Sequence, residues 1–126
     1  VLAAASGRPT HLVEADQRKC AFLAEAARTL GLADVKIHAQ RIEAMALPPA
    51  AIVTARALAP LAVLVGHAHR FLAPEGIAVF PKGRLAEGEL TAALPAWKMQ
   101  VERFPSLTDP AATIFRLSAI CPTGAP

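Results

Sequence analysis

At 126 residues the chain is one domain at most and long enough to bury a core, and a hydrophobic content of 54% excludes a disordered polypeptide. Thirteen Lys and Arg against ten Asp and Glu leave a net charge of +3, which permits a polyanionic partner without requiring one, and no block of like charge stands out. The apolar opening, residues 1–5, lacks a basic leader and is too short for a signal sequence, and no apolar run reaches membrane-spanning length, so a soluble protein is expected.

In chain order, residues 1–5 favour helix, and Ser6-Gly7-Arg8-Pro9 stops it and turns the chain. Residues 10–14 read as a strand. Asp16 then caps a helix to about Leu30, with Cys20, Phe22, Leu23, Ala26, Ala27 and Leu30 on its apolar face and Gly31 at its end. Residues 35–39 alternate as a second strand, and residues 42–45 form one short helical turn. Pro48-Pro49 forces an extended link into a short buried strand over residues 51–54.

A helix is predicted over residues 58–72, with Pro60 tolerated in its first turn. Ala73-Pro74-Glu75-Gly76 reads as a turn into a buried strand at 77–80, followed by a helix at 85–94. Two strands close the chain, at 97–104 and 113–117, joined by Pro105-Ser106-Leu107-Thr108-Asp109-Pro110, and a frayed tail is expected from Pro122. The order predicts an α/β fold in a single domain over residues 1–126, with a mostly parallel sheet ending in an antiparallel hairpin.

Cys20 and Cys121 lie far apart with no CxxC spacing, which fits a reducing compartment, and Cys20 falls on a helix face as a buried thiol. His67 and His69 are two positions apart, a spacing that suits neither face of a helix. All four histidines, His11 and His38 included, are therefore expected to be solvated or partly buried, with no metal bound.

Ligands of open α/β sheets sit beyond the carboxyl ends of the strands. The predicted strands deliver Glu14-Ala15-Asp16, Gln40-Arg41-Ile42-Glu43, Thr54-Ala55-Arg56-Ala57 and Pro81-Lys82-Gly83-Arg84 to that rim. A carboxylate such as Glu14 accepts two hydrogen bonds from the vicinal diol of a ribose. Its alternative role, compensating helix N-terminal charge, is already filled by Asp16. Arg56, flanked by two alanines, suits a phosphate or a base edge, or is an ordinary solvated loop arginine. Lys82 beside Gly83 either reaches a phosphate or belongs to a simple turn.

The runs HLVEADQRKCAFLAEAARTLGL (11–32), QRIEAM (40–45), IVTARALAPLAVL (52–64) and FPKGR (80–84), at matching spacing, resemble the RsmG (GidB) family. TARALAPL after one strand and PKG after the next are the more specific pieces. FPSLTDPAATIFRL (104–117) is similar to the tail of alphaproteobacterial members. The resemblance implies a Rossmann-like class I methyltransferase that uses S-adenosylmethionine to methylate N7 of a guanine in 16S ribosomal RNA. Its partner would be that RNA or a small-subunit precursor, and the protein a cytoplasmic bacterial monomer.

Carried over by position, Glu14 would bind the cofactor ribose, Ala15 next to it would line the cofactor site, and Gln40, Arg41 and Ile42 would flank the adenine. Arg56 would lie at the catalytic pocket, Lys82 would face RNA or the pocket rim, and Arg84 would bind RNA. The family's glycine-rich loop, first strand and N-terminal helical region have no counterpart in these residues. The resemblance thus implies an N-terminally truncated domain with impaired activity. Its alternatives are a methyltransferase with another substrate and a non-catalytic α/β remnant. The two strands that would flank the missing one are expected either to leave a gap or to close up and pair.

Overall fold

The computed structural model of the chain describes residues 8–56 and 59–124. The helix expected at 1–5 lies outside them. The chain packs as two compact units, Val1–Ala46 and Leu47–Pro126. In the first, β1 (Thr10–Val13) and β2 (Val35–His38) pair in parallel and are connected by helix α1 (Gln17–Thr29). A short 3-10 turn, Ile42–Ala44, follows β2. The second unit holds β3 (Ala50–Thr54), α2 (Leu61–Phe71), β4 (Leu72–Lys82), α3 (Ala86–Ala93), β5 (Trp97–Pro105) and β6 (Thr113–Pro122).

Local chemistry sets the limits of α1. Asp16 stands at the N-cap, where its carboxylate accepts from the amides of Arg18 (2.9 Å) and Lys19 (3.4 Å). At the other end Gly31 takes φ +67°, its amide donates to the carbonyl of Arg28, and the Leu32 amide donates to that of Ala27. That pair of bonds is a Schellman stop, which needs a residue at ease in the left-handed region. The apolar face is narrower than expected. Cys20 is buried and Leu23, Ala26 and Ala27 are half-buried, whereas Phe22 (71%) and Leu30 (62%) are exposed. Phe22 lies two positions from Cys20, about 200° around the helix, so it leaves the buried stripe.

In the second unit the strand order is β3-β4-β6-β5. β3 and β4 run parallel, while β6 lies antiparallel to both β4 and β5. The sheet is therefore mixed and ends in the expected hairpin, which folds back so that its second strand joins β4. The two strands expected to flank a missing one, β1 and β3, belong to separate hydrogen-bonded sheets, each at an edge of its own.

Period-two alternation builds the core. Ala78 and Phe80 of β4 stand opposite Leu117 and Phe115 of β6, all within 1% of full burial. Helices α2 and α3 cover this face with Leu61, Leu64, Val65, Ala68, Ala86 and Leu90.

Several boundaries differ from expectation, among them β6, which runs to Pro122 rather than to 117. α2 begins at Leu61 rather than at 58, because Pro60 sits at the N-cap with ψ 153° and disfavours a helical residue before it. β4 begins at Leu72, and Ala73 to Gly76 is a bulge inside the strand rather than a turn before it. Ala50 pairs with Leu72 and Ile52 with Ile77, so three extra residues of β4 are looped out between these pairs. The tail is tied down rather than frayed at its start: the Thr123 amide donates to the Ala96 carbonyl (3.0 Å) and its hydroxyl to that of Pro95 (2.5 Å).

A second bulge lies in β6, where Lys98 pairs with Cys121 and Gln100 with Ser118. Its extra residue, Ala119, takes φ +52°. An L side chain in that region costs about 1–2 kcal/mol, and glycine relieves it at the expense of a more flexible unfolded chain. Ala119→Gly is accordingly expected to raise stability by about 0.5–1 kcal/mol, read as a higher urea midpoint at unchanged slope. A lower midpoint would show that the methyl group packs usefully there.

Candidate functional site

In the first unit the rim is built by the parallel pair. β1 ends at Val13, opposite His38, and the next amide, that of Glu14, donates to the His38 carbonyl at 3.0 Å. The Glu14 carbonyl in turn accepts from the thiol of Cys20 in the first turns of α1 (3.1 Å). The backbone at Glu14 is thereby fixed from both sides. Its side chain is not: the carboxylate is 31% exposed, accepts the Asp16 amide at a long 3.3 Å, and lies 3.8 Å from the ammonium of Lys19. A half-open carboxylate on a pinned backbone, with acceptor capacity to spare, fits a diol ligand. Ala15, Gln40 and Arg41 are exposed and Ile42 is half-buried. The hydrogen bond from Glu14 to His38 brings the segment holding Gln40, Arg41 and Ile42 to the same end of this sheet as Glu14.

In the second unit the rim beyond β3 and β4 carries Arg56, Lys82 and Arg84. Arg56 is exposed, and among the described residues it has no ion-pair partner. Arg84 is exposed in the turn before α3. Gly83 is in open space, so no close backbone approach requires a glycine there.

Lys82 departs from the expectation that it faces RNA. The last residue of β4 continues the buried phase of Ala78 and Phe80, and its side chain is only 7% exposed. Its ammonium donates to the carbonyl of Ala59 (2.7 Å) and pairs with Glu89 of α3 (3.1 Å). The same Glu89 oxygen accepts the amide of Leu61, the first residue of α2, at 2.8 Å. Lysine and glutamate together hold the carbonyl before Pro60 and the amide after it. The ammonium is committed to this clasp, which fixes the entry to α2 a few residues after Arg56.

Glu89 is the residue that sequence reasoning misses. The available signal is its position: Ala86, Leu90 and Ala93 form the buried stripe of α3, and Glu89 shares it at i+3. A carboxylate on a core stripe calls for a buried partner.

A family model for rRNA small subunit methyltransferase G (GidB) matches residues 2–114. The chain belongs to this family. Among curated members, rRNA small subunit methyltransferase G of Granulibacter bethesdensis is 56% identical over 120 residues, 95% of this chain and 56% of the relative. The Rhodospirillum centenum protein of the same name is 53% identical over 124 residues, 98% of this chain and 57% of the relative. The chain thus spans a little over half the length of these GidB relatives.

Among solved structures, ribosomal protein L11 methylase from Lactobacillus delbrueckii subsp. bulgaricus superposes with a TM-score of 0.75. It is 16% identical, over 93% of this chain and 63% of that one. N-methyltransferase NodS from Bradyrhizobium japonicum, in complex with S-adenosyl-L-homocysteine, gives 0.59 at 12% identity over 85% and 64%. The fold is that of the class I methyltransferases. No helix among the described residues is long and apolar enough to cross a membrane.

Proposed function

We propose that the chain is part of an S-adenosylmethionine-dependent methyltransferase domain that acts in the bacterial cytoplasm, as a monomer, on N7 of a guanine in 16S ribosomal RNA. Membership of the GidB family carries this reading, and the half-open carboxylate of Glu14 at the end of β1 supports it. Glu14 takes the ribose of the cofactor with Ala15 lining the site beside it, and Gln40, Arg41 and Ile42 border its adenine. The bound cofactor supplies an electrophilic methyl group.

Guanine N7 carries an exposed lone pair on its major-groove edge, so the transfer removes no proton and calls for neither a general base nor a metal. What the chain must provide is position. Arginine can bond both O6 and N7 of guanine, but N7 has to stay free to react. Arg56 therefore holds O6 or a neighbouring phosphate, and Arg84 contacts the RNA backbone. Lys82, committed to Glu89 and the Ala59 carbonyl, positions the segment ahead of α2 and does not touch RNA itself.

In the whole domain of which these residues are a part, calorimetric titration with S-adenosylhomocysteine is expected to give binding that weakens at least about tenfold in Glu14→Ala. Arg56→Ala is expected to keep that affinity and lose at least about tenfold in methyl transfer to small-subunit RNA. Cofactor binding unchanged in Glu14→Ala would remove the ribose role. Full transfer by Arg56→Ala would remove the positioning role.

A further inference from the structure

His11 and His38 lie 27 positions apart in sequence, and the β1–β2 pairing brings their rings together. His11 Nδ1 and His38 Nε2 are 2.9 Å apart, with ring centroids at 5.2 Å and planes within 20° of each other. In the metal-free molecule one of these nitrogens must carry a proton and the other offer a lone pair. When each ring carries its proton on the far nitrogen instead, His11 Nδ1 and His38 Nε2 both offer a lone pair to the gap between them, as a chelate requires.

The pair lies within the span of a two-nitrogen chelate. An imidazole nitrogen sits about 2.0–2.1 Å from a bound divalent first-row ion, so two nitrogens at tetrahedral corners lie about 3.3 Å apart. Two nitrogens in adjacent positions of a square-planar or tetragonal ion lie about 2.9 Å apart. The observed separation is that of the hydrogen bond between the rings, and it leaves the nitrogens close to the second spacing. We propose that His11 and His38 form a two-imidazole chelating site for a tetragonal divalent transition-metal ion of the copper or nickel class, clamping β1 to β2.

The backbone prepares this site. In the parallel register His11 stands opposite Lys36 and Val13 opposite His38, so period-two alternation puts both histidines on one face. His11 is exposed and His38 half-buried, so the pair is open to solution from one side. A hollow of about 230 Å³ opens on the His11 side of the pair, lined in part by Thr10, Asp34 and Lys36. No third His, Cys, Asp or Glu completes a cluster among the described residues, so water fills the remaining coordination positions. Of the charged side chains lining that hollow, Lys36 opposes a cation and Asp34 favours one. A two-stranded sheet has little stability of its own, and a metal bridge between its strands adds a link that hydrogen bonding alone does not supply.

The test is titration of the untagged protein with Ni²⁺ alone at neutral pH, followed by calorimetry and by thermal unfolding. One equivalent is expected to bind with micromolar affinity and to raise Tm as its concentration rises. His11→Ala and His38→Ala should each weaken binding at least about tenfold, whereas the double substitution His67→Ala/His69→Ala should leave it intact. Should His11→Ala fail to fold, His11→Asn keeps a polar side chain and must still lose binding. A Cu²⁺ complex should show two equivalent nitrogen couplings in its electron paramagnetic resonance spectrum. Binding that persists in both single variants, or a wild-type chain that takes up no Ni²⁺, would overturn the assignment.

Discussion

Glu89→Ala is expected to lower the stability of the chain by about 3 kcal/mol. Two effects combine. The Lys82 ammonium, 7% exposed, loses its counter-charge and keeps only the Ala59 carbonyl. The first amide of α2 loses its acceptor at the same time. Removing one partner of a buried pair costs about 3–5 kcal/mol, and the lower end applies because water reaches the 28% exposed Glu89 side of the pair.

Lys82→Met should cost less, about 1–2 kcal/mol, because the stem is kept, no charge is left in the core and Glu89 can rehydrate. The double variant should then be less damaged than the sum of the two, by about 1 kcal/mol or more. Urea unfolding of the four proteins measures this directly. Additive losses would show that solvent already screens the pair.

Gly76→Ala is expected to cost about 2–3 kcal/mol. A Cβ at this position would stand 2.8 Å from the carbonyl oxygen of Ala50, 3.1 Å from that of Ala51 and 2.7 Å from Leu72 Cδ2. The leucine methyl can swing aside, but the two carbonyls belong to β3 and move only if the strand moves. Gly76 closes the bulge that brings β4 back into register with β3 at Ile52 and Ile77. A methyl group there presses on the strand that leads to Arg56. The urea midpoint should fall at near-constant slope, whereas Gly83→Ala, with no atom within 4 Å of its added carbon, should shift it far less. Equal shifts for the two would point to backbone entropy rather than close approach.

Much of this architecture was legible in the residues because its signals are local. Asp16 ahead of α1 and Gly31 behind it act through neighbours four or fewer positions away. The alternation of Ala78 and Phe80 announces a strand buried on that face. The bulges were hidden for the opposite reason. Ala119 adopts a conformation that favours glycine, and its alanine gives no warning. Ala73-Pro74-Glu75-Gly76 has the composition of a turn, and only pairing with β3 makes it part of a strand. Rim residues could be named from the strand ends alone, yet the commitment of Lys82 could not. It depends on which face of α3 turns inward, which sheet topology decides. The same holds for His11 and His38: their separation in sequence has no motif, and only the parallel register reveals them as neighbours.

The hydrogen bond from Cys20 to the Glu14 carbonyl gives the chain a chemical clock. Cys121, exposed near the end of β6, is open to an alkylating reagent at once. Cys20 is buried, so its reaction waits until the start of α1 swings away from the end of β1. The two thiols therefore label in separate phases, a fast one that counts molecules and a slow one that times how often this joint opens. Any ligand that settles against Glu14 should lengthen the second phase and leave the first untouched.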